Sequence, residues 1–146
     1  MNREIRFRGK RVDNRKWIMG HYVEWIDTRG NMNYQIVSTS GYHNDVMPET
    51  VGMFSGLYDR TGKEIYDGDV VRVYPLGYNP DAIENSQGYA PYLSKVEWVL
   101  YPDKLSETCY EKGHGFLEWR CVPFTHSYQF MEVVGNVYEN KELINK

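Results

Sequence analysis

Apolar and polar residues alternate with a period of two over several short stretches of the chain, and no long window has a helical period. Such alternation is typical of β-strands that bury one face. It predicts strands over residues 4–8, 17–26, 33–38, 70–74, 95–101, 115–122 and 130–138. Short strands separated by turns favour a mainly β fold, either a barrel or a sandwich.

Residues with turn chemistry separate the predicted strands. Asp13-Asn14 suits a hairpin turn, residues 59–62 begin with Asp and end with Gly as a type I turn prefers, and Asp67-Gly68 supplies a third turn. Gly135 interrupts the last strand, which predicts a bulge or a close backbone approach. Asn140 is a suitable N-cap for a short terminal helical turn.

Residues 75–94 have little strand character and are predicted to form a long loop. Loops of this length are usually functional or mobile. The chain of 146 residues is long enough for one domain with a real core. We expect a single domain, with N-terminal strands over residues 1–48 and a barrel portion over residues 49–146.

Four carboxylates, those of Asp59, Glu64, Asp67 and Asp69, are crowded into eleven residues. A metal or catalytic site would need two or more of their oxygens to converge within about 3 Å of one atom. Asp and Asn side chains also bind nearby backbone N–H groups and so shape turns. Because these acids occupy turn positions and have no familiar ligand spacing, the sequence favours the turn-shaping role.

Cys109, His114, Cys121 and His126 have the spacing C-x4-H-x6-C-x4-H. Four such residues could hold zinc, but zinc knuckles usually bring two cysteines within two to four residues of each other. Cys121 shares a predicted strand face with apolar residues, which is typical of a small core residue. The sequence has no phosphate-binding glycine loop, nucleophile elbow or dinucleotide fingerprint. We therefore expect no metal, no cofactor and no catalytic residue.

The N-terminal segment is the strongest candidate for binding. Residues 1–17 carry seven Lys and Arg against two acids, whereas the whole chain has a net charge of −3. On an extended strand Arg6, Arg8 and Lys10 project from one face at steps of about 7 Å, close to the spacing of nucleic-acid phosphates. With Arg11 they form a candidate nucleic-acid surface, and loop tyrosines are candidate stacking groups (Tyr78, Tyr89 and Tyr92). The alternative is an exposed edge strand whose cations deter edge-to-edge association.

Three segments resemble the YopX family of phage and prophage proteins. They are REIRFRGKRVDNRKWIMGHYV (3–23), VGMFSGLYDRTGKEIYDGDVVRV (51–73) and FMEVVGNVYENKELI (130–144). The departures are minor: Met53 stands where a polar residue is common, and Lys141 where Pro often begins the last turn. The resemblance implies a mainly β fold with an SH3-type barrel, a mobile-element origin and a bacterial cytoplasmic location. It implies no activity.

The first twenty residues are too polar and basic for a signal peptide, and no stretch is apolar enough to span a membrane. We therefore expect a cytoplasmic protein without a membrane partner. The sequence favours a non-catalytic binding or assembly module that self-associates through exposed aromatics and edge strands. The alternative is a nucleic-acid-binding accessory protein that uses the basic N-terminal strand.

Overall fold

The computed structural model describes residues 4–74, 91–100, 114–118 and 130–144. The chain forms two compact units, residues 1–56 and residues 57–146. The strands of the described residues are β1 (Phe7–Lys10), β2 (Trp17–Ile26), β3 (Met32–Val37), β4 (His43–Asp45), β5 (Gly52–Tyr58), β6 (Glu64–Tyr66), β7 (Asp69–Val73), β8 (Tyr92–Leu100), β9 (His114–Glu118) and β10 (Met131–Asn136). Short 3-10 helices span Pro48–Thr50 and Lys141–Leu143.

In the first unit the sheet order is β4-β3-β2-β1-β5, with antiparallel neighbours. The predicted Asp-Asn turn joins β1 to β2, and the Asn14 carboxamide oxygen accepts a hydrogen bond of 2.9 Å from the Lys16 N–H. The Asp27 carboxylate organises the turn from β2 to β3, because its Oδ1 accepts N–H donors from Arg29 and Asn31. Side chains with short polar groups therefore set the register of both hairpins.

The core of the first unit lies on one face of this sheet. Ile36 and Val46 are buried there, and the rings of Phe7 and Tyr22 meet with centroids 5.8 Å apart. Gly9 allows this packing, because a Cβ at its position would lie 3.1 Å from the Ile36 side chain. The opposite face carries Arg8, Lys10 and the residues that pair with them.

In the second unit the sheet order is β10-β7-β8-β9. The valines of β7 are buried on both faces, and Val96 and Met131 join them in the core. Val71 and Val73 are therefore core residues of the strand predicted over residues 70–74. The register of β10 against β7 shifts between Val133 and Gly135, which confirms the bulge predicted at the glycine.

Several sequence predictions differ from the structure. The alternation missed β4, β5 and β6, and Tyr92–Ser94 belong to β8 rather than to the predicted loop. Asn140 precedes a 3-10 helix, but its side chain does not cap it and instead accepts the Asn136 N–H at 3.2 Å. The described strands show a mainly β fold with antiparallel sheets. The SH3-type closure and the division at residues 48 and 49 stay predictions.

Candidate functional site

Asp59 is the first of the four acids in this stretch, and both oxygens of its side chain accept hydrogen bonds. Oδ1 accepts hydrogen bonds from the Thr61 N–H at 2.8 Å, the Thr61 hydroxyl at 2.6 Å and the Lys63 N–H at 2.9 Å. Oδ2 accepts the Val133 N–H of β10 at 2.8 Å. The residue is only 6% exposed. This carboxylate therefore closes a turn and fixes that turn to a strand.

The environment of Asp59 favours its ionised form. Burial raises the pKa of this carboxyl, but the hydrogen bonds from Thr61, Val133 and Lys63 outweigh burial, and the net pKa lies below its ordinary value of 3.8. A general acid or base at neutral pH needs a pKa near 7. Asp59 is thus suited to holding backbone groups rather than to moving protons.

Two other acids of this stretch, Asp69 and Glu64, each accept a hydrogen bond from Tyr66. Asp69 is buried, and its Oδ2 accepts the Tyr66 N–H at 2.8 Å at the start of β7. Glu64 accepts the Tyr66 hydroxyl at 2.8 Å. These contacts confirm the turn-shaping role of Asp59 and Asp69. Among the described residues, no three His, Cys, Asp or Glu side chains are grouped so that they could hold a metal ion.

The cations of the N-terminal segment lie over aromatic rings. The Arg6 guanidinium is 4.5 Å from the centroid of the Phe54 ring, and that of Arg8 is 4.6 Å from the Trp17 ring. Lys10 Nζ lies 5.5 Å from the same Trp17 ring. Cation–π attraction therefore holds these three cations against two aromatic side chains.

The edge-strand alternative for this segment is wrong. β1 pairs with β2 on one side and with β5 on the other, so its backbone groups are used inside the sheet. Arg11 follows β1 in the turn and forms a salt bridge of 2.6 Å with Asp13. Burial also limits the access of a ligand to the two arginines, because Nε of Arg6 and both Nε and Nη2 of Arg8 are shielded from solvent. Only part of each guanidinium is available to a phosphate.

The structure describes only some of the remaining candidate residues, which are the tyrosines and the Cys and His residues. Tyr92 is the first residue of β8, half-buried and opposite Val73, whereas Tyr78 and Tyr89 lie outside the described residues. His114 begins β9, and Cys109, Cys121 and His126 also lie outside the described residues. The convergence of the Cys and His residues stays untested.

The hairpin of β2 and β3 carries an apolar surface that the sequence prediction did not single out. Four of its side chains, which we call the hairpin surface, are solvent-exposed: Met19 (48%), Trp25 (46%), Ile26 (64%) and Met32 (45%). The signal in the sequence is the adjacent pair Trp25-Ile26, which puts an apolar residue on each face of the strand end. Neither of these two side chains is buried.

Polar contacts hold the Trp25 side chain in place. Its Nε1–H donates to the Gln35 carboxamide oxygen at 3.0 Å, and the Gln35 amide nitrogen donates to Asp45 Oδ1 at 2.9 Å. His43 Nδ1 lies 3.1 Å from the same Gln35 oxygen. An exposed tryptophan is therefore fixed by a chain of side chains across three strands.

These features define a mainly β protein whose acidic turns are structural and whose β2–β3 hairpin exposes apolar side chains on both of its faces. Within the described residues, no helix has the length and apolar character to cross a membrane. A family model described as YopX protein matches residues 6–145, so the chain belongs to the YopX family. Among solved structures, the chain is similar to protein EF1440 from Enterococcus faecalis, with 17% identity, a TM-score of 0.49, and coverage of 97% of this chain and 99% of that one. No curated protein matches the chain.

Proposed function

We propose that the protein is a non-catalytic interaction module that binds a second copy of itself through the hairpin surface. The observation that carries this proposal is the concentration of exposed apolar side chains on one element. Among the described residues, eight large hydrophobic side chains are exposed, and four of them are the hairpin surface. Trp25, Ile26 and Met32 lie together at the end of the hairpin, on both of its faces, and exposed apolar groups of this kind are typical of protein-binding sites.

The composition of the hairpin favours a protein partner. Glu24 is the only charged residue in the sixteen residues of β2 and β3. Interface cores are depleted in charge and enriched in aromatic residues and Met, whereas a nucleic-acid surface needs Lys and Arg against phosphates. Because Gln35 already fixes Trp25, little side-chain entropy is lost when a partner covers that ring.

A second copy fits this surface because of its low charge. A two-fold interface brings the same patch of both copies together, so a patch with charges of one sign would repel its own copy. The four side chains of the hairpin surface are uncharged, and the nearest cation on their sheet is Arg8, which pairs with Met19. Two-fold dimers are also the commonest oligomers among soluble proteins.

The oligomeric state tests the proposal. We expect light scattering coupled to gel filtration to show a mass that rises with protein concentration from monomer to dimer. Trp25→Lys should abolish the rise, because it would bury an ammonium group without a partner in the interface. Tyr42→Lys is the matched control, since Tyr42 is exposed in the same unit but outside β2 and β3. A strict monomer at high concentration, or a dimer that Trp25→Lys leaves intact, would overturn the proposal.

A second candidate function is binding of single-stranded nucleic acid by Arg6, Arg8, Lys10 and Arg11. The observation that favours it is the position of Arg8 and Lys10 over Trp17, because cations beside an aromatic ring suit phosphate contact and base stacking. The first unit carries eight Lys and Arg against six Asp and Glu, whereas the second carries nine against fourteen. The unit that contains this candidate surface therefore has a net positive charge, whereas the other unit has a net negative charge.

Salt-titrated binding of a labelled oligonucleotide tests the second candidate. The affinity should fall as salt rises, and Lys10→Glu should weaken it while Arg29→Glu, an exposed change in the β2–β3 turn, should have a smaller effect. If the protein bound neither DNA nor RNA at any salt concentration, this second candidate function would be excluded.

Membership in the YopX family supports three further parts of the proposal, namely an SH3-type barrel, a phage or prophage origin and a cytoplasmic location.

A further inference from the structure

One edge of β2 is open along the second half of the strand. β1 pairs with β2 only from Trp17 to Gly20, whereas β3 pairs with it as far as Ile26. Within the described part of the chain, residues 21–26 therefore have a neighbouring strand on one side only. This open half carries Trp25 and Ile26 of the hairpin surface.

The direction of the backbone groups on this edge follows from the pairing of β2 with β3. Glu24 lies opposite Tyr34, and the Tyr34 carbonyl accepts the Val46 N–H at 3.0 Å, on the side of β3 away from β2. In an antiparallel pair, opposite residues either exchange both backbone hydrogen bonds or direct these groups away from each other. The N–H and carbonyl of Glu24 therefore point away from β3. Those of Ile26, two residues further on, point the same way.

Within the described residues, these outward backbone groups of Glu24 and Ile26 have no hydrogen-bond partner. Their side chains are exposed as well, that of Ile26 by 64%. An unpaired strand edge is a template for pairing with a strand of another chain. Main-chain hydrogen bonds are then available in addition to the apolar contacts of the hairpin surface.

A second copy of the chain can supply the strand that pairs with this edge. Two identical strands that pair antiparallel are related by a two-fold axis, which is the symmetry of the commonest dimers. We infer that two copies join their β2 edges in an antiparallel pair centred on Trp25, so that Glu24 of each copy exchanges backbone hydrogen bonds with Ile26 of the other. The inference rests on the proposed self-association and specifies the strand pairing that produces it.

The side chains favour a pairing centred on Trp25. It puts the two Trp25 rings opposite each other at a non-hydrogen-bonded position, where cross-strand side chains come closest. It also puts each Glu24 opposite an Ile26 on the same face of the joined sheet. A pairing centred on Glu24 would instead set two carboxylates opposite each other, and like charges at such positions are destabilising.

The position of β1 excludes a pairing shifted the other way. A pairing centred on Val23 would bring Ile26 of one copy beside Gly20 of the other. That place is already occupied, because Gly20 pairs with Phe7 of β1. The open edge thus admits the end of a second hairpin only when the pair is centred nearer to Trp25.

Substitutions of opposite charge at Ile26 test the pairing, with the dimer dissociation constant measured by sedimentation equilibrium. The Glu24 carboxylate accepts the Tyr22 hydroxyl at 2.8 Å, a neutral donor that leaves the carboxylate charged. Ile26→Lys would put each ammonium opposite Glu24 of the other copy, whereas Ile26→Glu would put a second carboxylate there. The Ile26→Glu variant should therefore dimerise at least about tenfold more weakly than the Ile26→Lys variant.

Exchange of the two charges provides a rescue. Adding Glu24→Lys to Ile26→Glu should restore dimerisation to within about threefold of the Ile26→Lys variant, because each carboxylate again faces an ammonium. Met32→Lys and Met32→Glu are the matched controls, since Met32 is exposed on β3, away from the open edge. Their dissociation constants should differ by less than about threefold, which separates local pairing from the effect of net charge.

Glu24→Pro tests the backbone hydrogen bonds. Proline lacks the N–H, but at this position the N–H lies on the open edge, so the fold of a single copy should be retained. Dimerisation should weaken by at least about tenfold. Glu24→Ala keeps the N–H and should change dimerisation by less than about threefold. If Glu24→Pro does not fold, the comparison of the Ile26 variants decides.

Equal dimerisation of Ile26→Lys and Ile26→Glu would overturn the inference, and so would equal dimerisation of a folded Glu24→Pro and Glu24→Ala. If Trp25→Lys still abolished the dimer in either case, the proposed function would stand and only the strand pairing would be wrong. A strict monomer would overturn both, and would leave the β2 edge to a strand of a different protein.

Discussion

The Asp59 carboxylate accepts a hydrogen bond of 2.8 Å from the Val133 N–H, although 74 residues separate them in the sequence. The Arg60 N–H donates to the Met131 carbonyl at 2.9 Å beside this contact. The turn that follows β5 is thereby attached to β10. A charged acceptor makes the stronger kind of hydrogen bond, so this attachment contributes to the stability of the second unit.

Asp59→Asn is expected to destabilise the protein by about 2 kcal/mol. The carboxamide oxygen retains the Thr61 and Lys63 donors, but the amide nitrogen then faces the Val133 N–H, and two buried donors meet. Urea unfolding measures the change in the free energy of unfolding. Glu142→Gln, an exposed change of the same type in the same unit, should alter it by less than about 0.5 kcal/mol. Equal effects of the two substitutions would contradict the role assigned to Asp59.

The contribution of Asp59 should depend on pH. Its pKa in the folded state lies below 3.8, so the unfolded chain binds the proton more readily. The stabilisation is complete above pH 3.8 and is lost as the pH falls through the folded-state pKa. The difference in unfolding free energy between the natural protein and Asp59→Asn should therefore be larger at about pH 6 than at about pH 3. A difference that stays constant over this range would show that ionisation of Asp59 does not contribute.

A comparison of Gly68 with Gly62 distinguishes two reasons why a position needs glycine, namely its backbone conformation and the lack of space for a Cβ. Both have a left-handed backbone, with φ of 90° and 88°, but only Gly68 has a neighbour, the Tyr138 ring, where a Cβ would lie. Gly62→Ala should cost about 1 kcal/mol for the backbone alone. Gly68→Ala should cost about 1–3 kcal/mol more, because the Tyr138 ring must also move. Thermal unfolding of both variants measures this difference, and equal costs would mean that the ring adjusts freely.

The sequence predicted the strands that alternate and missed those that do not. β2 begins and ends at the predicted residues because its apolar side chains recur at every second position. β4 (His43–Asp45) consists of polar residues, and β5 (Gly52–Tyr58) contains two glycines without alternation. Such strands form through their partners rather than through local preference. β1 looked like an edge strand for a related reason: β2, its neighbour on one side, follows it directly, but β5, its neighbour on the other side, comes from a distant part of the sequence.

The candidate sites, like the strands, could be predicted from the sequence only in part. The turn-shaping bonds of Asp59 to Thr61 and Lys63 are local and could be predicted from DRTGK, whereas the bond to Val133 needs the tertiary structure. Trp25 belongs to the strand predicted over residues 17–26, but alternation alone does not indicate which face of that strand is covered. In the first unit the buried face is the one with Ile36, and Trp25 lies on the other.

Asn136 provides a test of the segment that follows β10. Asn136→Asp keeps the acceptor for the Tyr138 and Glu139 N–H groups, but it puts a carboxylate oxygen where Nδ2 now donates to Glu139 at 3.0 Å. Asn136 is buried, so we expect a loss of about 1–3 kcal/mol in unfolding free energy at neutral pH.

Combining Asn136→Asp with Glu139→Gln should restore most of this loss. The Gln amide can donate to the new carboxylate, which replaces repulsion by a hydrogen bond. Glu139→Gln alone should be nearly neutral, because its carboxamide oxygen can still accept from Asn136. A double-mutant cycle in urea unfolding gives the coupling energy between the two positions. Additive effects would show that the contact between Asn136 and Glu139 does not hold this segment in place.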